Sequence, residues 1–191
     1  MTADYSEIAL SIEERWLTQY YFIRAAFSVF WVALALTIGL HDATAAAVLL
    51  VVYPAWDAVA NYVDAARSGG LGQNRTQAIN VFVSLATTAT VFVALQTGMH
   101  QVLGVFGAWA ILAGLLQLAT AVSRWKSYGA QWAMVLSGAQ SALAGGFFIV
   151  QARMPEPPSI SNIAGYAGVG ALYFLISAVL LTIRDMRRKS G

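Results

Sequence analysis

The sequence predicts an all-α polytopic membrane protein, with six transmembrane helices arranged as three sequential hairpins. Three observations carry that prediction. The chain of 191 residues is 59% apolar and only 10% charged, where a soluble domain is roughly one quarter charged. A chain this short cannot hide so much apolar surface from water, but a bilayer solvates it. From Thr76 to Ser123 no acidic or basic residue occurs, enough chain for two helices of about 20 residues and a turn. Finally, Arg15, Arg24, Arg67, Arg75, Arg124, Lys126, Arg184, Arg187, Arg188 and Lys189 fall on one side of a six-span arrangement, and only Arg153 on the other. That bias predicts cytoplasmic termini by the positive-inside rule.

Residues 1–19 form a cytoplasmic N-terminal segment in this reading. Asp4, Glu7, Glu13 and Glu14 stand there against the single Arg15, which argues against a cleaved signal peptide with a positive start. Ser11-Ile-Glu-Glu14 has the pattern of a capping box. Ile8, Ile12, Trp16 and Tyr20 recur every four residues, as on a helix lying at the membrane surface; a disordered tail over residues 1–10 is the alternative.

The first span runs from about Tyr20 to Leu40 and contains Arg24. Gly39-Leu-His-Asp42 turns the chain into the second span, Ala43 to Ala66, and a glycine-rich loop from Arg67 to Arg75 follows. Spans near 77–98 and 101–123 meet at a turn placed on Gly98-Met-His-Gln101. The fifth span covers Ser127 to Ala152 and the sixth about Ser161 to Ile183, separated by Arg153-Met-Pro-Glu-Pro-Pro158, whose prolines forbid a continuous helix. Trp16, Tyr20, Tyr21, Trp125, Tyr128 and Trp132 gather at the basic end, as an interfacial aromatic belt does.

A period of about 60 residues runs through the spans. Gly39-Leu-His41 returns as Gly98-Met-His100, Tyr53-Pro-Ala-Trp56 as Phe106-Gly-Ala-Trp109, and Arg124 as Arg184. The internal repeats are therefore expected at about 20–67, 77–124 and 130–184. Each crosses the membrane twice, so all three point the same way and their symmetry axis lies along the membrane normal.

The candidate functional residues follow from polarity at depth. Asp57, Asn61 and Asp64 lie at i, i+4 and i+7 of the second span, one polar stripe on an apolar rod. Carboxylates in hydrocarbon turn inward and are paired or functional. Asp57 lies about ten residues, or ~15 Å, from the basic end of its span, near mid-membrane. Arg24 falls at a similar depth to Asn61, so the four residues form either a structural charge cluster or an ion or proton site. The two aspartates are ~10.5 Å apart along a helix, too far to share a proton as a catalytic dyad does. His41 and His100 stand at the outer turns, where imidazoles that charge in acid suit pH sensing and where polar residues also simply suit an interface.

Several classes are excluded or disfavoured. The chain has no cysteine, which rules out disulfides, thiolate catalysis, iron–sulfur clusters and Cys-ligated zinc. No His/Glu cluster has metal-ligand spacing, and Gly69-Gly-Leu-Gly72 lacks the helix-opening motif of a phosphate site. No cofactor, no metal and no catalytic residue is expected, and a net charge of +2 does not suggest nucleic acid. Asn74-Arg-Thr76 matches a glycosylation sequon by accident, being on the cytoplasmic side. Asn80, Gln117 and Gln140 read as interhelical hydrogen bonders. Ser137, Gly138, Ser141, Ala142 and Gly145 give the fifth span a small-residue face for close packing, inside the chain or between copies in a homo-oligomer.

Gly107-Ala-Trp-Ala-Ile-Leu-Ala-Gly114, Arg124-Trp125, Trp132, Ser137-Gly138 and Gly145-Gly146 together resemble the HdeD-like family of short-repeat membrane proteins. The resemblance covers most of residues 20–185. It implies a bacterial inner-membrane protein linked to acid resistance and stress response, without an established activity. The aspartate stripe and Pro155, Pro157 and Pro158 are not carried over from that family. Two functions thus stand side by side: a non-enzymatic structural or stress-response membrane protein, and a small transporter or channel using Asp57 and Asn61.

Overall fold

A computed structural model describes residues 2–125 and 131–190, and within them it is all-helical. Six helices occur: α1 (Thr2–Leu34), α2 (Ala43–Arg67), α3 (Arg75–Ala94), α4 (Met99–Arg124), α5 (Gln131–Gln151) and α6 (Ile160–Ser190), with a π-helical turn, Ala35–Gly39, closing α1. All six are long and apolar enough to cross a bilayer. Outward-facing Phe30, Phe82, Val93, Val122 and Leu143 are each more than 59% exposed. A bilayer solvates such a surface and water does not, so the chain is an integral membrane protein.

Local chemistry explains the element ends, and corrects three expectations. α1 already begins at Thr2, so Ser11 lies inside a helix and is not its cap. Nothing from Ile8 to Tyr20 breaks the four-residue periodicity, so the helix carries through into the span. The third turn occupies Leu95–Gly98, and Met99, His100 and Gln101 already belong to α4. Gly98 has φ +124°, a conformation that only glycine adopts without strain, so the chain reverses there rather than after it. Tyr20 and Tyr21 are 7% and 2% exposed and point inward, so they are not part of an interfacial belt. Trp125 and Trp132 do lie on the surface, while Tyr128 and Lys126 lie outside the described residues.

The glycine-rich loop is a turn, as its composition indicates. Gly69 and Gly70 take φ of +98° and +90°, and the Asn74 amide donates to the carbonyls of Ser68 and Gly70. At the other end of α2, Asp42 is the N-cap, its Oδ1 accepting from the Ala45 N–H at 2.8 Å. Asp42→Ala is expected to destabilise the protein by about 1 kcal/mol, measurable as a lower unfolding temperature in detergent. An unchanged temperature would mean that packing alone fixes this end.

The helices form a closed ring. The heaviest contacts join α2 to α3, α4 to α5 and α6 back to α1, which are contacts between successive hairpins rather than between the arms of one. The α4–α5 contact is made by backbone. A Cβ on Gly145 would stand 2.5 Å from the Gly107 carbonyl oxygen, and one on Gly114 would stand 2.5 Å from that of Gly138. The Ala142 backbone N is 2.8 Å from that second position. Gly138, Ala142 and Gly145 are thus taken up against α4 of the same chain, which removes this face from a contact between copies.

The two ends of the ring differ. Toward the end holding His41, His100 and Arg153, buried Trp31, Leu50, Val102, Leu103, Phe106, Phe148 and Ile163 fill the centre. Toward the basic end the buried side chains include Asp57, Asn61, Asp64, Gln77, Asn80, Gln131 and Ser177.

Candidate functional site

Two antiparallel helices build the polar half. Gln77, Asn80 and Ser84 on α3 have the same three- and four-residue spacing as Asp57, Asn61 and Asp64 on α2. Each set therefore lies on one helix face, and the faces meet as three rungs. Gln77 Nε2 donates to Asp64 Oδ2 at 2.8 Å, Asn80 Nδ2 to Asn61 Oδ1 at 3.2 Å, and Ser84 Oγ to Asp57 Oδ2 at 2.8 Å.

The innermost rung gathers three more helices. Arg24 on α1 forms a salt bridge with Asp57 through Nη2 and Oδ1, and its Nη1 donates to the Tyr20 hydroxyl at 3.0 Å. The guanidinium also lies 4.4 Å from the centre of the Phe174 ring on α6, a cation–π contact. From α4, Trp109 Nε1 donates to Ser84 Oγ at 3.1 Å. Asn61 Nδ2 completes the Asp57 shell, donating to its Oδ2 at 3.0 Å and to its backbone carbonyl at 2.8 Å. Both carboxylate oxygens thus have donors, as a buried charge requires.

These rungs form one wall of a crevice with a volume of about 90 Å³, to which all six helices contribute. That is room for several water molecules or one small solute. Gln77, Thr120, Ala121 and Gln131 line its shallow part, within about a turn of the basic helix ends. Tyr53, Trp109, Ser141 and Tyr166 line its deep part. There Tyr53 and Trp109 meet edge to face with centroids 5.8 Å apart, and Trp109 and Tyr166 do so at 6.4 Å. Ser141 Oγ donates to the Ala110 carbonyl and shares a 2.7 Å hydrogen bond with the Tyr166 hydroxyl. This layer ends the crevice, and the apolar packing lies beyond it.

Of the predicted site residues, Arg24, Asp57, Asn61 and Asp64 come together in the crevice. Arg24 pairs with Asp57 rather than with Asp64, whose Oδ2 accepts from Gln77. His41 and His100 do not join them. His41 is exposed in the turn before α2, and His100, in the first turn of α4, places Nε2 3.1 Å from the Met154 carbonyl oxygen. Asn80 and Gln117 bond between helices, Gln117 to the Met134 sulfur at 3.8 Å, and Gln140 lines the crevice. The sequence reading did not name Gln77, Ser84, Trp109 or Tyr166 as site residues. For Gln77 and Ser84 the signal was present, as the same helical spacing on the next span. Among the described residues no three His, Asp or Glu side chains converge as a metal site needs. Comparison with protein families, with curated proteins and with solved structures found no match.

Proposed function

We propose that this integral membrane protein binds a small polar solute in the crevice and belongs to the transport class, with the basic end of the ring cytoplasmic. The observation that carries this reading is a polar crevice reaching from near one membrane face to mid-depth and stopping on an aromatic layer. A protein needing only rigidity would be expected to fill that half as tightly as the other, because lipid-embedded helices gain stability by close packing. A blind crevice with one dry and one wet half is the form of a site reached from one side at a time. Binding, rather than catalysis, is favoured because the Asp57 carboxylate is committed to three donors. Both termini are then cytoplasmic, and a bacterial inner membrane is the setting that the HdeD-like resemblance adds.

The other reading is a structural or acid-stress protein of the HdeD-like type. It is favoured by the way Arg24, Asp57, Ser84 and Trp109 tie α1 to α4 as internal glue. Access separates the two. Because the native chain has no cysteine, single cysteines can be introduced at Gln117 in the crevice and at Val102 in the apolar half. Membrane-impermeant methanethiosulfonates are expected to modify Gln117→Cys in inside-out vesicles but not in intact cells, and Val102→Cys in neither. A folded Gln117→Cys protein unreactive from both faces would overturn the crevice reading and leave the structural one.

A further inference from the structure

The hydrogen-bonding character of the crevice wall limits what can sit in it. On the α2–α3 side four donors are committed: Asn61 Nδ2 to Asp57, Gln77 Nε2 to Asp64, Ser84 Oγ to Asp57 and Trp109 Nε1 to Ser84. An acceptor is left over. Asn80 is 9% exposed and lines the crevice, and its Oδ1 has no partner among the described residues. Its amide orientation is set by its neighbour. Asn61 turns Oδ1 toward Asn80 because its own Nδ2 is held by Asp57, so Asn80 must present Nδ2 to that oxygen. Turning the Asn80 amide over would set two oxygens against each other.

Charge points the same way. The formally charged side chains lining the crevice are Arg24, Asp57 and Asp64, one positive against two negative. On α2, Asn61 lies about 6 Å along the axis from Asp57 and about 4.5 Å from Asp64. A group resting on Asn80 Oδ1, opposite Asn61, is therefore flanked by both carboxylates. The same crevice is lined by the aromatic rings of Tyr20, Tyr53, Trp56, Trp109, Tyr166 and Phe174, with Tyr53, Trp109 and Tyr166 at its deep end. An unpaired acceptor, an excess of negative charge and an aromatic lining are the recognition chemistry of an ammonium group carried on carbon.

We propose that the crevice takes a small organic cation, an ammonium on a few carbons, seated against Asn80 between the Asp57 and Asp64 levels. The assignment rests on the reading of the crevice as a solute site. An inorganic cation would find the carboxylates but gain little from the aromatic wall, which is why the carbon-bearing ion is favoured.

The test uses the full-length Gln117→Cys protein in inside-out vesicles, with the rate of thiol modification as the readout. Butylammonium, whose N–H groups can donate to Asn80 Oδ1, is the probe, and 1-butanol, the same carbon chain without the charge, is its control. Added butylammonium chloride is expected to slow modification at least tenfold, while the neutral alcohol and equimolar sodium chloride leave it within twofold. Equal protection by the alcohol would mean simple apolar filling, and equal protection by sodium a generic cation effect. Either result overturns the proposal. A cysteine that reacts at a rate none of the three changes also overturns it, while the crevice reading survives. A cysteine that never reacts removes the crevice reading itself. In the same background, Asn80→Asp is expected to keep butylammonium protection and Asn80→Leu to abolish it. Full protection in a folded Asn80→Leu protein would show that the acceptor plays no part.

Discussion

Asp57→Asn is expected to destabilise the protein by about 3 kcal/mol, the lower end of the ~3–5 kcal/mol range for breaking a buried ion pair. The substitution keeps the side chain's shape and an acceptor for Ser84, and removes the charge that balances Arg24. The pair sits at the deep end of the crevice with side chains 15% and 11% exposed, so hydration offsets only part of the loss. Arg24→Gln alone should cost a similar amount, because it strands the carboxylate. The double variant buries no lone charge and should recover at least half of the summed loss. Denaturation of the four proteins in one detergent gives the coupling energy directly. A coupling near zero would mean that Asp57 is held by Asn61 and Ser84 and that Arg24 is solvated independently.

The second large effect is expected at the α4–α5 contact. Gly145→Ala places a methyl group 2.5 Å from the Gly107 carbonyl oxygen and 2.8 Å from the Ile111 backbone N. Neither atom can rotate away, so the helices must separate along their whole contact. Overpacking of this kind costs about 1–3 kcal/mol, and the rigid obstacle argues for the upper end. Gly107 and Gly145 face each other reciprocally, so once one alanine has opened the gap a second costs less. Gly107→Ala/Gly145→Ala should therefore fall well short of additivity. Gly146→Ala is the internal control, because a Cβ there meets nothing within 4 Å. It should be neutral or stabilising by up to about 1 kcal/mol from helix propensity. Unfolding midpoints that do not distinguish Gly145→Ala from Gly146→Ala would rule out a backbone-limited contact.

The helices were legible because each is specified by its own composition: length, apolar run, and glycine or proline at the ends. The stripe on α2 was legible for the same reason, since helical spacing along one segment fixes a shared face. What joined it from beyond α3 was not. Trp109 and Tyr166 lie on two further helices and meet the stripe only when the ring closes, and no periodicity within one span encodes that closure. Tyr20 and Tyr21 were misplaced because an aromatic near a helix end serves equally at a lipid interface and beside a buried crevice. The glycines of α5 announced close packing truthfully, but small residues do not name their partner. The partner here is α4, whose Gly107 and Gly114 have the same seven-residue spacing as Gly138 and Gly145.

The ring closes between α1 and α6, the two helices farthest apart in the sequence. α1 and α6 form one of its heaviest contacts, with Tyr21 against Phe174 at 6.0 Å between ring centres and Arg24 over the face of Phe174. Roughly 150 residues separate these partners, which is about 8–30 s of translation at 5–20 residues per second. Through that interval Arg24 is in the nascent chain with only α2 to neutralise it. Asp57 arrives 33 residues after Arg24, long before the rest of the wall. Of the partners of Arg24 on other helices, the carboxylate is therefore the one available while the rest of the wall is still being made. Of the six helices α6 is made after the other five, so until it emerges the cation–π face of Arg24 is uncovered.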